Sequence, residues 1–567
     1  MPQPAPPNQT QYSNQLLATT LKDTSRIVNF VTQRAAATSY ALLQHLEHRF
    51  LHDYFRVCGL IEDQENRFGC QSEAKALVDE IYKFRDTINA EDRFIRYKVL
   101  VGFESVYPSH WIDQEFQYEE SEKYRHEEAN RYIDEINATN ENDWFDLITR
   151  CAETDSTDGA TFIFFSTFIS RLAEHKPEIA NRFLSKASNG LHRFLADFLN
   201  GMALSGQCDL YELNLERELV SATNLAGIAR HLRYSDVQKA DFATRLLKRA
   251  IEKVYSMAVT ECMLLALEYY GTDKIRDTDE FLREAFTYLN DHKETCWVYS
   301  AWFLQKTTKF YDELTPERTA QVLQNLGYIC KVDFRVERIL VQLAERQPEV
   351  VWDYFGARLT REARDSEEKN RFEAIPFRFH VLETELSKDP QLAISKGLSW
   401  FAQDPKLFRF RGGRLLSCVF PNCTMKFATA LAELVKTDSD TEVDFALAIL
   451  QNYIGEPSTY IVLKEIVSRF PDDARKMNEV KISIDNTGVV SGEFGFAEAW
   501  RTKKEFLSEW LTDERPAVKA FAEKHIGELD LMIASEQRSA EAEIEMRIRN
   551  YDEESDEIDH ENSCGGE

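Results

Sequence analysis

The chain has 567 residues, more than one ordinary globular core uses, so it either divides into several domains or repeats one small packing unit. Its 21 glycines and 15 prolines are few for that length, which argues against a fold of many short strands and tight turns. The formal charge of −28 disfavours a nucleic-acid partner unless a local patch reverses the field.

Residues 1–14 read as a disordered lead. They carry no positive charge and no apolar core of the kind a signal peptide needs. An N-terminal helical region follows over 15–140. Within it Leu16, Leu21, Ile27, Phe30 and Val31, then Tyr40, Leu43, Leu46, Phe50 and Tyr54, recur at helical spacing. Residues 61–73 are polar and read as a loop, and a second helical block covers about 74–106. Tyr107-Pro108-Ser109-His110-Trp111 is a break, and a strongly charged helix is expected over about 116–136.

From Asp143 to about Asp530 one amphipathic helix follows another, separated by short polar turns. Leu172-Ala-Glu-His-Lys-Pro177-Glu-Ile179 is echoed 171 residues later by Leu343-Ala-Glu-Arg-Gln-Pro348-Glu-Val350. Pro390 and Pro516 sit in related settings. The steps from Pro348 to Pro390 and from Pro390 to Pro516 are 42 and 126, which suggests a period near 42. Pro suits the first turn of a helix, where its missing N–H costs no hydrogen bond.

The stretch Leu507, Trp510, Leu511, Asp513, Pro516, Val518, Lys519, Ala522, Ile526, Leu529 resembles a HEAT repeat. Leu434, Asp438, Asp440, Val443, Ala446, Leu450 and Tyr453 are similar, without the proline. The resemblance, to HEAT/armadillo-like repeat proteins, implies an all-α fold: a right-handed superhelical α-solenoid of paired antiparallel helices over 141–530. It implies a binding role and no particular chemistry. The chain is also somewhat similar to the helical-repeat arms of bacterial NTPase-type immune proteins. It has no NTPase motif of its own, so membership of a defence-type complex would require a separate effector subunit.

Two stretches interrupt the array. Glu479-Val-Lys-Ile-Ser-Ile-Asp485 alternates like a strand and leads into Gly488, Gly492 and Gly495, so a small β-hairpin or an ordered loop is expected near 479–496. The other interruption is 405–413. A terminal capping helix over 531–551 precedes an acidic disordered tail at 552–567. Removing the tail's eight acids still leaves the rest at −20.

Phe408-Arg409-Phe410-Arg411-Gly412-Gly413-Arg414, with Lys406, is the one basic and aromatic cluster. Lys406, Arg409, Arg411 and Arg414 are therefore candidates for a phosphate or nucleic-acid ligand, with the glycines exposing N–H groups to an anion. The competing reading is an inter-helix turn whose rings enter the core and whose arginines pair with acids. His45, His48 and His52 share one helix face at metal-pair spacing, but Arg49 stands where a zinc protease has its glutamate. Surface histidines are the alternative there. Ser109 beside His110, and Gly488-Val-Val-Ser491-Gly492, lack the geometry of a catalytic pair or a nucleophile elbow.

Ten scattered cysteines form no CxxC pair, which suits a reducing compartment. No uncharged apolar run is long enough for a bilayer. A cytoplasmic, non-catalytic scaffold, adaptor or sensor is expected, with a protein partner, no cofactor and no membrane contact. The alternatives are a nucleic-acid or phosphate-ligand binder using 409–414, and an enzyme whose site is assembled from distant residues.

Overall fold

The computed structural model describes residues 7–62, 67–102, 111, 118–301, 308–361 and 371–563. It is all-α, with no strand among the described residues. No helix among them is long and apolar enough to cross a membrane. The chain separates into two units, Met1–Ala285 and Phe286–Glu567.

The first unit begins with α1 (Pro7–Thr32), α2 (Tyr40–Ile61), α3 (Gln71–Asn89) and α4 (Asp92–Val101). Helix α1 thus starts within the stretch expected to be a flexible lead. Helices α1 and α2 both pack on α3, and α4 lies against α2 and α3. A fully buried ion pair ties three of them together. Lys98 Nζ donates to both Glu47 carboxylate oxygens (2.7 and 2.9 Å) and to Asn89 Oδ1 (2.6 Å), and Asn89 Nδ2 returns a bond to Glu47 (2.8 Å). Trp111 is buried beside this group, and its indole N–H points at Glu47. Residues 107–110 lie outside the described residues. The charged helix is α5 (Tyr118–Glu135).

Next come α6 (Glu141–Ala152), α7 (Ile163–His175), α8 (Pro177–Ser185), α9 (Asn189–His192), α10 (Leu195–Leu204), α11 (Cys208–Ser221), α12 (Leu225–Tyr234), α13 (Ala240–Glu252) and α14 (Ser256–Glu268). Two layers result. Helices α7, α10, α12 and α14 each pack on the next. On their other side α8 lies against α7 and α10, α11 against α8, α10 and α12, and α13 against α12 and α14. Members of the first layer start 30 to 32 residues apart, not 42. Helix α10 approaches α7 closely at Gly201. A Cβ on Gly201 would fall 1.9 Å from the Ser170 carbonyl oxygen and 2.7 Å from Ala173 Cβ.

The echoed segments adopt one conformation. Lys176 precedes Pro177 at φ −135°, ψ 61°, and Gln347 precedes Pro348 at φ −135°, ψ 62°. Each donates its N–H to the carbonyl of the leucine four residues back, Leu172 or Leu343, at 2.8 Å. Proline then occupies the first turn of the next helix, as it does at Pro390 and Pro516. The shared spelling encodes a corner between helices, and the corner recurs without a fixed period.

Helix α15 (Thr278–Asp291) spans the boundary between units. The second unit continues with α16 (Val298–Ala301), α17 (Thr308–Asp312), α18 (Pro316–Leu326), α19 (Phe334–Ala344), α20 (Pro348–Thr360), α21 (Leu382–Leu386), α22 (Pro390–Gln403), α23 (Pro405–Leu407), α24 (Gly413–Val419), α25 (Met425–Val435), α26 (Asp440–Leu450), α27 (Thr459–Arg469), α28 (Ala474–Asp485), α29 (Gly495–Ser508) and α30 (Pro516–Ser563). It too has two layers. Helices α20, α22, α25, α27 and α30 pack in succession, and so do α19, α21, α24, α26 and α28. Long-range polar contacts close the joints. Buried Glu337 on α19 accepts the N–H groups of His380 (2.8 Å), Val381 (3.1 Å) and Leu382 (3.4 Å), so it caps the start of α21 from another helix. Buried Arg358 on α20 donates to the carbonyls of Ile329, Cys330, Glu373 and Ala374.

No β-hairpin forms at 479–496. Residues 474–485 are α28, whose start is capped by Asp473 accepting from Arg475 and Lys476 N–H. The alternation that suggests a strand hides a helical pair: Val480 and Ile484 are four apart and fully buried, while Ile482 is half exposed. Residues 486–494 form an ordered loop. Asn486 holds it with one bond to the Tyr453 carbonyl and one from Gly488 N–H, and Gly488 and Gly492 supply positive φ. Helix α30 runs through the capping segment and on to Ser563, within the stretch expected to be a disordered tail.

Two substitutions test this packing. Gly201→Ala gains about 1 kcal/mol of helix propensity. It nevertheless lowers the urea midpoint, because a methyl against a backbone carbonyl costs about 1–3 kcal/mol or more. Glu47→Gln strands the buried Lys98 charge and costs about 3–5 kcal/mol. Far-UV circular dichroism during urea titration of the full chain reads both.

Candidate functional site

The basic and aromatic cluster at 405–414 is helical. Asp404 caps it, accepting from Lys406 and Leu407 N–H at 3.0 Å each, and Pro405 takes the first position. Phe408–Gly412 then widens into a π-helical turn before α24. Insertions of this kind are frequent at functional sites because they re-aim side chains.

The turn sorts its residues sharply. Phe408 is buried against Phe401 and Phe445, with ring centroids at 5.5 and 5.2 Å. Phe410, two residues on, is 78% exposed. Arg409 is half-buried in an ion pair with Glu479 (3.1 Å), and Arg411 donates to the Leu359 carbonyl (2.7 Å). Only Lys406 and Arg414 of the four candidate cations are exposed. The glycines do not cradle an anion. A Cβ on Gly412 would strike the Phe408 ring at 2.2 Å, and one on Gly413 would meet Asn452 Nδ2 at 2.3 Å, so close packing requires both.

A second segment joins this surface, and the sequence pattern did not mark it. Phe377 is 82% exposed, and the Arg414 guanidinium lies 5.9 Å from its ring centroid. The Cys418 thiol on α24 points at the carbonyls of Phe377 (3.4 Å) and Pro376 (3.8 Å), and buried Ile375 and Phe379 anchor either side. Two large exposed rings and a guanidinium are therefore held on an ordered backbone. Phe377 is 33 residues from Phe410 in sequence, and nothing local distinguishes it from the chain's other 36 phenylalanines.

His45, His48 and His52 lie on α2 as their spacing predicts. His45 and His52 are exposed and His48 is half-buried, with the His48 and His52 rings 6.4 Å apart edge to face. No cluster of three or more metal-ligating side chains occurs among the described residues. Ser109 and His110 lie outside the described residues, and Ser491 belongs to the 486–494 loop.

Distance in sequence also hid a buried, paired titratable group of the second unit. His525 on α30 is buried, with Nε2 2.9 Å from Asp485 Oδ1 and Nδ1 3.0 Å from Glu528 Oε2. Lys481, on the same helix as Asp485, pairs with Glu528. Two carboxylate acceptors require both ring nitrogens to donate, so the imidazole is a cation. Burial alone would lower its pKa, but the bonds to Asp485 and Glu528 outweigh it and the net shift is upward. By contrast, burial drops His231 to about 3 and keeps it neutral between Tyr211 and Asn200.

Compared with known proteins, the chain matches no family model, no curated protein and no solved structure.

The His525 shift fixes the sign of a pH effect. A folded pKa above the unfolded value of roughly 6.5 gives stabilisation that is complete below that pH and is lost as pH rises through the folded pKa. The stability difference between the native chain and His525→Gln is therefore largest in mild acid and shrinks towards alkaline pH. Urea midpoints across a pH series measure it, and a difference that stays flat with pH would refute the bridging imidazolium.

Proposed function

We propose that the chain is a non-catalytic scaffold, adaptor or sensor that holds a macromolecular partner on the surface of an α-solenoid. Support for the solenoid comes from the layers of each unit, in which α7, α10, α12 and α14 of the first and α20, α22, α25, α27 and α30 of the second each pack on the next. Such stacks offer long surfaces for partners.

One observation carries the choice of surface: Phe377, more than three-quarters exposed, lies beside Arg414, and the equally exposed Phe410 precedes Arg414 by one helical turn on a backbone fixed by its neighbours. Exposed rings normally cost solubility, and aromatic and arginine side chains dominate the energetics of protein interfaces. Fixing them in advance reduces the ordering cost of binding. Their chemistry suits an apolar partner segment bordered by acids, which Lys406 and Arg414 would meet. The nucleic-acid alternative draws less support. Arg409 and Arg411 are committed to Glu479 and the Leu359 carbonyl, which leaves two exposed cations where a phosphate backbone rewards many. Placement within a bacterial defence-type complex rests on resemblance alone, and it falls if the captured partner is neither an ATPase nor a nuclease.

The test is affinity capture with the full chain against a Phe377→Ala/Phe410→Ala double variant. The variant keeps its helical spectrum and thermal midpoint, since both rings are solvated, and loses the partner at least tenfold. Undiminished capture by the variant would move the binding surface elsewhere. Salt-sensitive retention of a single-stranded oligonucleotide, lost in Arg414→Glu, would favour the nucleic-acid reading instead.

A further inference from the structure

The first unit contains a cavity of about 440 Å³, a volume suited to a small organic ligand. Its lining comes from three chain segments, around 189–193, 223–230 and 255–257, where α9, α12 and α14 begin. No carboxylate lines it, although the chain holds 96 acids against 68 lysines and arginines. Arg193, Arg230 and His192 do.

Each of these three side chains is fixed from behind and keeps capacity unused. Arg193 donates from Nε to the Gly190 carbonyl (3.3 Å) and from one terminal nitrogen to the Ala152 carbonyl (2.6 Å), with the Phe162 ring 5.1 Å away. Its other terminal nitrogen is not engaged in these bonds. Arg230 spends Nε on Glu261 (2.6 Å) and makes a long contact from one terminal nitrogen to the Met257 sulfur. His192 has an 11% exposed side chain, with Nε2 2.9 Å from Glu218 Oε2. Its Nδ1 is buried and has no hydrogen-bond partner. Glu218 is a firm anion: burial pushes its pKa up, but His192 and Arg217 outweigh that and hold it below the usual carboxylate range. An orphaned imidazole nitrogen in such a place costs stability unless something meets it.

The backbone adds to the same sign of field. Asn224 caps α12 by accepting from Gly227 N–H (2.9 Å), and its amide donates to the His192 carbonyl (2.8 Å), which binds two of the three segments together. The starts of α12, ten residues long, and α14, thirteen long, both border the cavity and place the positive ends of their dipoles there. Thr223 and Asn189 contribute further donors, and Tyr255 and Met257 give an aromatic and apolar wall.

We propose that this cavity binds a small organic phosphate of nucleoside-monophosphate size. The phosphate faces Arg193, Arg230 and His192, and the organic group rests on Tyr255 and Met257. Donors from several directions match a phosphate, with its three terminal oxygens, better than a planar carboxylate. The site lies in the first unit and does not depend on the aromatic surface of the second.

Isothermal titration of the full chain at low salt, with adenosine 5′-monophosphate, inorganic phosphate and adenosine as probes, tests this. The monophosphate binds tightest, inorganic phosphate at least tenfold more weakly, and adenosine not measurably. Asn189→Asp separates binding from folding. Asn189 opens a single four-residue turn at the rim, so an acid there leaves the thermal midpoint unchanged while monophosphate affinity falls at least tenfold. Arg193→Gln lowers affinity similarly. The proposal is overturned if no phosphate binds, if adenosine binds as well as its monophosphate, or if both variants fold and bind like the native chain.

Discussion

A helix of ten to fourteen residues is marginal in water, and most helices of this chain are that short. Each persists because neighbours in its own layer and in the facing layer cover its apolar side. That dependence explains why the closest contacts are made by backbone and small side chains. Gly201 lets α10 settle on the Ser170 carbonyl of α7, and Gly356 leaves room for the Trp400 indole of α22 beside α20. A larger residue at either position would force apart a pair of packed helices.

Stacking has a polar consequence. Each short helix adds two ends, and each end leaves backbone donors or acceptors unpaired. A chain with this many ends cannot leave them all to water, because the corners are partly buried. Side chains from distant helices meet them. Glu337 caps α21 from 43 to 45 residues away, and Arg358 gathers four carbonyls from two loops. The Lys98–Glu47 pair ties α2, α3 and α4 together side chain to side chain, and Asn89 closes the network. Such contacts are costly to break and specify one arrangement of the corners, which apolar burial alone does not.

This division also marks what the sequence made legible. Helical periodicity and few breakers led directly to an all-α chain, and the echoed prolines located real corners with nearly identical dihedrals. The period inferred from them failed, because a corner depends on a handful of local residues while repeat length depends on how each loop is filled. The strand-like alternation at 479–485 misled for a related reason: three β-branched residues two apart also contain an i, i+4 pair, and tertiary burial chose between the two readings. The basic cluster was visible as composition. Its division into core, ion-paired and exposed members was not, since Glu479 and the Leu359 carbonyl lie 70 and 52 residues from their arginines.

Charge shows the same separation of composition from placement. The excess of acids over bases argues against anionic ligands for the molecule as a whole, and at long range that argument holds. At close range the field depends on which groups line a surface. In the first unit Glu218 and Glu261 are drawn into pairs with His192 and Arg230, so acids fix the side chains that face the cavity without lining it themselves. The helix starts contribute positive potential that no count of ionisable residues includes. An acid-rich chain can thus build a local anion site because its acids are plentiful enough to hold the cations in position.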